Sequence, residues 1–120
     1  MSRSINKVTL LGRVGKDPEL KYTPNGTAYA RFSLATSYKA KDKGEKTEWH
    51  SLVAWAKTAE IAGEYVKKGQ QVYVEGRLQT DSWEKDGEKK YRTEIVVMEL
   101  VLLGSKGEAK QETGDEQPAF

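Results

Sequence analysis

The sequence predicts an all-β domain in which five strands curl into a small, partly open barrel, with one helix between strands 3 and 4. Three observations carry that expectation. Apolar residues alternate with polar ones in separate short stretches along the chain. Asn25-Gly26 and Asp86-Gly87 lie between such stretches, and both dipeptides favour the backbone of a tight hairpin. Only residues 57–68 change to a helical period.

Taken in order, residues 5–13 alternate Ile5, Val8 and Leu10 with polar neighbours, and Gly12 and Gly15 read as the turn that follows. Pro24-Asn25-Gly26-Thr27 joins Leu20-Lys21-Tyr22 to the run Ala28 to Leu34 as a hairpin. Residues 40–46 are lysine-rich and read as a charged, mobile loop. Thr47 to Trp55 returns to strand pattern through Trp49, Leu52, Val53 and Trp55. In the helix, Ile61 with Tyr65 and Ala62 with Val66 fall four apart, which places each pair on one face. Lys67 and Lys68 are assigned to its last turn and Gly69 to its stop.

Gln71 to Trp83 reads as a long strand with Val72, Val74 and Leu78 on one face. Tyr91 to Leu103 closes the fold, and its density of valine and leucine predicts burial on both faces. After Gly104 the apolar pattern stops, so residues 105–120 are expected to form a disordered tail behind a domain of residues 1–104. Five strands with a helix after the third is the arrangement of an OB-fold.

Composition narrows the function. A chain of 120 residues is one domain's worth; 37% apolar and 32% charged residues allow one small core that leans on subunit contacts. Without cysteine there are no disulfides, thiolate nucleophiles or cysteine-bound metals. The first residues lack the apolar run of a signal peptide, and nothing approaches the roughly 18 apolar residues of a membrane span, so a cytoplasmic protein without a membrane partner is expected.

His50 is the sole histidine and no pair of carboxylates is set for acid–base work, so neither a catalytic site nor a metal, cofactor or small-molecule substrate is expected. Net charge is +2, but the tail from Gly104 holds two lysines and four acids, which leaves +4 on the body. A basic body with an acidic end suits a polyanion binder.

The aromatic residues give the candidate site. Trp49, Trp55 and Trp83 lie in polar stretches beside lysines: Lys57 follows Trp55, Lys85 follows Trp83, and Lys39, Lys41 and Lys43 precede Trp49. Any one ring could be a core residue. Interleaved rings and cations on several strands instead suit unpaired nucleic acid, whose bases expose π-faces and whose phosphates take the cations.

Several segments are also similar in order to those of bacterial single-stranded DNA-binding proteins. These are Ile5 to Glu19, Pro24-Asn25-Gly26, Leu34 to Ser37, Thr47 to His50, Tyr65 to Gly69 and Val72 to Gly76. The resemblance covers residues 1 to about 104 and implies a homotetramer of OB-folds coating single-stranded DNA in replication, recombination and repair. It implies stacking by Trp49, Trp55 and Trp83, with Tyr38 as a substitute for a further ring, since the matching loop position is Ala40. It implies phosphate contacts from Arg3, Lys7, Lys57, Lys67 and Lys68, with Arg77 and Lys85 compensating for the polar Gln79 to Ser82. His50 falls at a subunit interface.

The end of the chain, with Asp115, Glu116, Pro118, Ala119 and Phe120, resembles in shortened form the family's acidic tip for recruiting partner proteins. A terminal phenylalanine and carboxylate can fill an apolar pocket with a basic rim. A primosome-type accessory protein on the same fold is the alternative, but such relatives usually lack most of these tryptophans and the tail. An enzyme with a cryptic site is remote.

Overall fold

The computed structural model describes residues 3–42 and 44–104; the tail and its tip lie outside the described residues. Six strands and one helix follow in order: β1 (Val8–Val14), β2 (Glu19–Tyr22), β3 (Ala28–Ala40), β4 (Gly44–Trp55), α1 (Ala56–Tyr65), β5 (Gln71–Lys85) and β6 (Glu88–Gly104). β2 is a four-residue arm on the edge of β3. The other five strands close the ring β1-β5-β6-β4-β3-β1, with α1 between the third and fourth of them, as expected. Two seams are short. β1 meets β3 only at Arg13↔Ala35 and Val14↔Leu34, and β4 meets β6 in parallel only at Leu52↔Ile95 and Val53↔Val96. The barrel is therefore partly open, and this is the OB-fold.

Alternation decides what fills it. Ala28, Ala30, Phe32 and Leu34 of β3 point inward, as do Leu52 and Ala54 of β4, Val72 and Val74 of β5, and Ile95 and Val97 of β6. Helix α1 closes the barrel with Ala59 and Ala62, followed by Val66, all fully buried. The other helical pair, Ile61 and Tyr65, faces outward instead. Small residues let the helix come close to the strands, and Gly63 lies directly under the side chain of Leu20.

The helix also ends earlier than the lysines suggest. The Val66 amide bonds the Ala62 carbonyl at 3.0 Å, and Lys67 to Gln70 form a separate turn closed by the Gln70 amide on the Lys67 carbonyl at 3.1 Å. Gly69, at φ +84°, takes the third position of that turn, where a left-handed backbone is needed.

Three further expectations change. Gly12 is a strand residue rather than a turn: a Cβ there would sit 2.2 Å from the Ala35 carbonyl oxygen, so glycine permits β1 to cross β3. The charged loop over residues 40–46 loses Ala40 and Gly44 to Lys46 to strands, because β3 and β4 stay paired from Tyr29↔Trp55 to Ala40↔Gly44. Polar residues extend a ladder whose register is already fixed by the core half of the hairpin. Finally, β6 is buried on both faces only from Glu94 to Val97; Met98 and Val101 to Leu103 are exposed in the single chain.

Both hairpin signals hold, with different turns. Asp86 and Gly87 have φ of +54° and +79°, the two-residue type I′ pattern. At the other, Pro24 cannot adopt positive φ, so the loop widens to residues 23–27, with Gly26 alone at φ +92°.

Candidate nucleic-acid interface

The register places all three tryptophans on one outer face. Val53 of β4 pairs with both Arg31 of β3 and Val96 of β6, and Val96 pairs with Arg77 of β5, a continuous row across four strands. Trp49 and Trp55 share the Val53 side of β4, six residues and ~20 Å apart along the strand. Trp83 shares the Arg77 side of β5, with Gln79, Asp81 and Lys85. The rings are 60%, 39% and 43% exposed, respectively, so none is a core residue. Beyond the two-pair seam, the β3–β4 and β5–β6 hairpins form two arms, one bearing Trp49 and the other Trp83.

The floor between them is charged and ordered. Glu94, only 4% exposed, accepts hydrogen bonds from Arg31 Nε at 2.6 Å and Nη2 at 3.3 Å, and Arg92 Nη1 lies 3.9 Å from the same carboxylate. A buried carboxylate requires such partners, since desolvation otherwise drives it neutral. The hydrogen bond to Glu94 in turn raises the pKa of the Arg31 guanidinium.

Aromatic contacts extend the cluster both ways. Arg31 lies 5.6 Å from the ring centre of Tyr29, Tyr29 meets Trp55 at 5.4 Å, and Arg92 lies 5.8 Å from the ring centre of Trp83. Trp55, Tyr29, Arg31, Glu94, Arg92 and Trp83 thus form one chain of contacts. An open groove beside it is lined by Lys16, Arg31, Ser33, Ser51, Arg92 and Glu94, among others.

Trp49 is positioned by a glycine. A Cβ on Gly15 would sit 2.6 Å from Trp49 Cζ3 and 2.5 Å from Ser33 Oγ, so the indole lies against bare backbone. The Gly15 amide donates to the Ser33 carbonyl at 3.0 Å, which fixes that backbone in place.

The other expected residues divide. Arg77 and Lys85 lie on the tryptophan face, though Arg77 Nη1 also donates to Gln79 Oε1 at 3.1 Å. Lys57 is exposed near the start of α1, one residue beyond Ala56 and close to Trp55 in sequence. Lys67 and Lys68 are exposed in the turn after the helix, where the Lys68 amide bonds Asp17. Arg3 and Lys7 belong to the segment before β1, whose Asn6 side chain both donates to and accepts from the backbone of Leu78 at 2.9 Å. Lys7 lies 3.9 Å from Glu75.

Tyr38 is not brought to the same face. It alternates with Thr36 on the side of β3 opposite Ala35, the partner of Trp49. The His50 ring shares a 2.9 Å hydrogen bond with Thr36 Oγ1, a structural contact. Among the described residues no group of three or more His, Asp or Glu could hold a metal ion, and no helix is long and apolar enough to cross a membrane.

Sequence reasoning missed Tyr29, Arg31, Arg92, Glu94 and Gly15. A signal existed for Arg31: it stands between core residues Ala30 and Phe32, so alternation alone points it outward.

Fold and face together define an OB-fold binding protein with an open, aromatic and basic groove. The model of the Single-strand binding protein family matches residues 5–103, and the chain belongs to that family. It is 52% identical over 112 residues to "Single-stranded DNA-binding protein 1" of Chlorobaculum tepidum, covering 88% of this chain and 69% of that protein. It is 51% identical over 113 residues to "Single-stranded DNA-binding protein" of Xanthomonas axonopodis pv. citri, covering 90% of this chain and 63% of that one. The chain thus spans roughly two thirds of these relatives' own length. A solved structure described as a Plasmodium falciparum SSB complex with ssDNA superposes with a TM-score of 0.78 at 35% identity, covering 87% of this chain and 99% of that one. The family and these relatives are binding proteins, not enzymes.

Proposed function

We propose that the protein binds single-stranded DNA without sequence preference, coats and protects it during replication, recombination and repair, and does so as a homotetramer in the cytoplasm, associated with the nucleoid. The observation that carries this reading is the placement of three part-exposed tryptophans on one outer face with Arg77 and Lys85. Rings so placed can stack on any unpaired base, at about 1–3 kcal/mol per base, whereas a duplex keeps its π-faces hidden. Cations between the rings take the phosphates, so salt should weaken the complex. A match to a structure titled as a complex with ssDNA supports the same ligand.

Support for self-association comes from another stretch of the outer surface, nearer the start of β5. Leu11, Tyr73 and Val101 form one row across β1, β5 and β6, and Tyr73 and Val101 stay open to solvent to different degrees in the single chain. An apolar row on a domain with a small core suits burial against another copy. His50, Tyr38, Arg3, Lys7, Lys57, Lys67 and Lys68 are carried over as interface, stacking and phosphate residues on resemblance.

The tip Asp115, Glu116, Pro118, Ala119 and Phe120 is proposed to recruit replication, recombination and repair proteins. Two experiments test the reading. A labelled oligo(dT) bound to the protein should be displaced by unlabelled single strands and not by the same mass of duplex; equal displacement by duplex contradicts it. Deleting residues 115–120 should abolish pull-down of partner proteins while DNA affinity stays equal or rises; unchanged pull-down removes the role of the tip.

A further inference from the structure

We infer that Arg31 and Arg92, both held by Glu94, form a phosphate-binding subsite in the groove floor that takes one backbone phosphodiester of the strand. This deepens the single-strand reading above and rests on it. The buried carboxylate of Glu94 engages one edge of Arg31, through Nε and Nη2, and approaches Nη1 of Arg92. Among the described residues Arg31 Nη1 donates to nothing. Glu94 therefore fixes Arg31 by two hydrogen bonds and lies near Arg92, whose ladder partner Asp81 is the second acid of the cluster, and the unused guanidinium N–H groups are left for the groove.

Lys16, Ser33 and Ser51 line the same groove and supply a third cation and two hydroxyl donors. Glu19 also lines it, but its carboxylate is 3.7 Å from Lys21 Nζ. Guanidinium forks match the geometry of phosphate oxygens better than a point charge does. The ligand is a phosphodiester within a strand because the same contact chain ends at Trp55 and Trp83, where the flanking bases would stack.

Glu94 is then a positioning residue, and its role separates this proposal from a plain excess of positive charge. Equilibrium titrations with oligo(dT) across a salt series are made on the full chain and on Arg31→Gln, Arg92→Gln and Glu94→Gln, with Lys89→Gln, on the other side of the β5–β6 arm, as control. Each arginine variant should lower the steepness of log K against log salt by about 0.7, the value for one lost phosphate contact on a single strand. Glu94→Gln should weaken binding about tenfold although it adds a positive charge, the size expected when a charged hydrogen bond loses its geometry. Lys89→Gln should behave as the parent.

Parental salt slopes in both arginine variants, or tighter binding by Glu94→Gln, would overturn the proposal. If Glu94→Gln fails to fold by its melting curve, Arg31→Lys decides: it keeps the charge and loses the fork, so affinity should fall, and an unchanged affinity refutes the subsite. A parent chain that does not bind oligo(dT) refutes the wider reading instead.

Discussion

Trp49, Trp55 and Trp83 differ in how they are supported, and that sets what each substitution should do. Trp55 is braced by Tyr29 and Trp83 lies near Arg92, whereas Trp49 lies over Gly15. Replacing each by alanine should weaken single-strand binding by about 1–3 kcal/mol while the melting temperature stays near the parent's, because the rings are part-exposed. Calorimetric melts beside binding titrations check this; a collapsed fold would make that ring a core residue. Gly15→Val should reproduce the Trp49→Ala loss with the tryptophan still present, since any Cβ there meets the indole. Parental affinity in Gly15→Val would show that the ring's position over the glycine is unimportant. The tryptophans were legible in the sequence because large rings in polar stretches are conspicuous. Arg31, Arg92 and Glu94 were not, because a guanidinium 63 residues from its carboxylate leaves no local pattern.

Strands and turns show why the fold was largely readable and where it was not. Alternation locates β1, β3, β4 and β5 because each buries one face, and Asp86-Gly87 announces its turn by the positive φ it requires. Ladder ends are set by pairing rather than by local pattern, which is why Ala40 and Gly44 to Lys46 read as loop yet lie in strands. Tyr38 consequently lies on the other side of β3 from Ala35, the partner of Trp49, a consequence of register that composition cannot reveal. The β4–α1 junction holds a further test. Ala56 has φ +55°, costly for a residue with a Cβ, directly after Trp55. Ala56→Gly should therefore leave chemical-denaturation stability equal or higher, by up to about 1 kcal/mol, against the usual cost of glycine in a helix. Gly69→Ala, at φ +84°, should destabilise by about 1 kcal/mol in the same assay. A loss in Ala56→Gly as large as that in Gly69→Ala would contradict the assigned strain.

At the scale of the molecule, one barrel presents two outer surfaces of different character. The tryptophan face is polar, charged and open, and the other carries an apolar row of Leu11, Tyr73 and Val101. The valine- and leucine-rich β6 reads as doubly buried in sequence, whereas only Glu94 to Val97 is so in one chain; in the proposed oligomer a second copy would cover Val101. Val101→Glu should accordingly reduce the mass measured by light scattering to that of a smaller species, and an unchanged mass would assign the oligomer contact elsewhere. The central claim is that bases stack on the tryptophan face. It is tested most directly by titrating oligo(dT) into the protein while following tryptophan emission. Strong, saturable quenching is expected, which added salt reverses and duplex DNA does not reproduce. Emission that stays unchanged while the strand is demonstrably bound, or equal quenching by duplex, would contradict it.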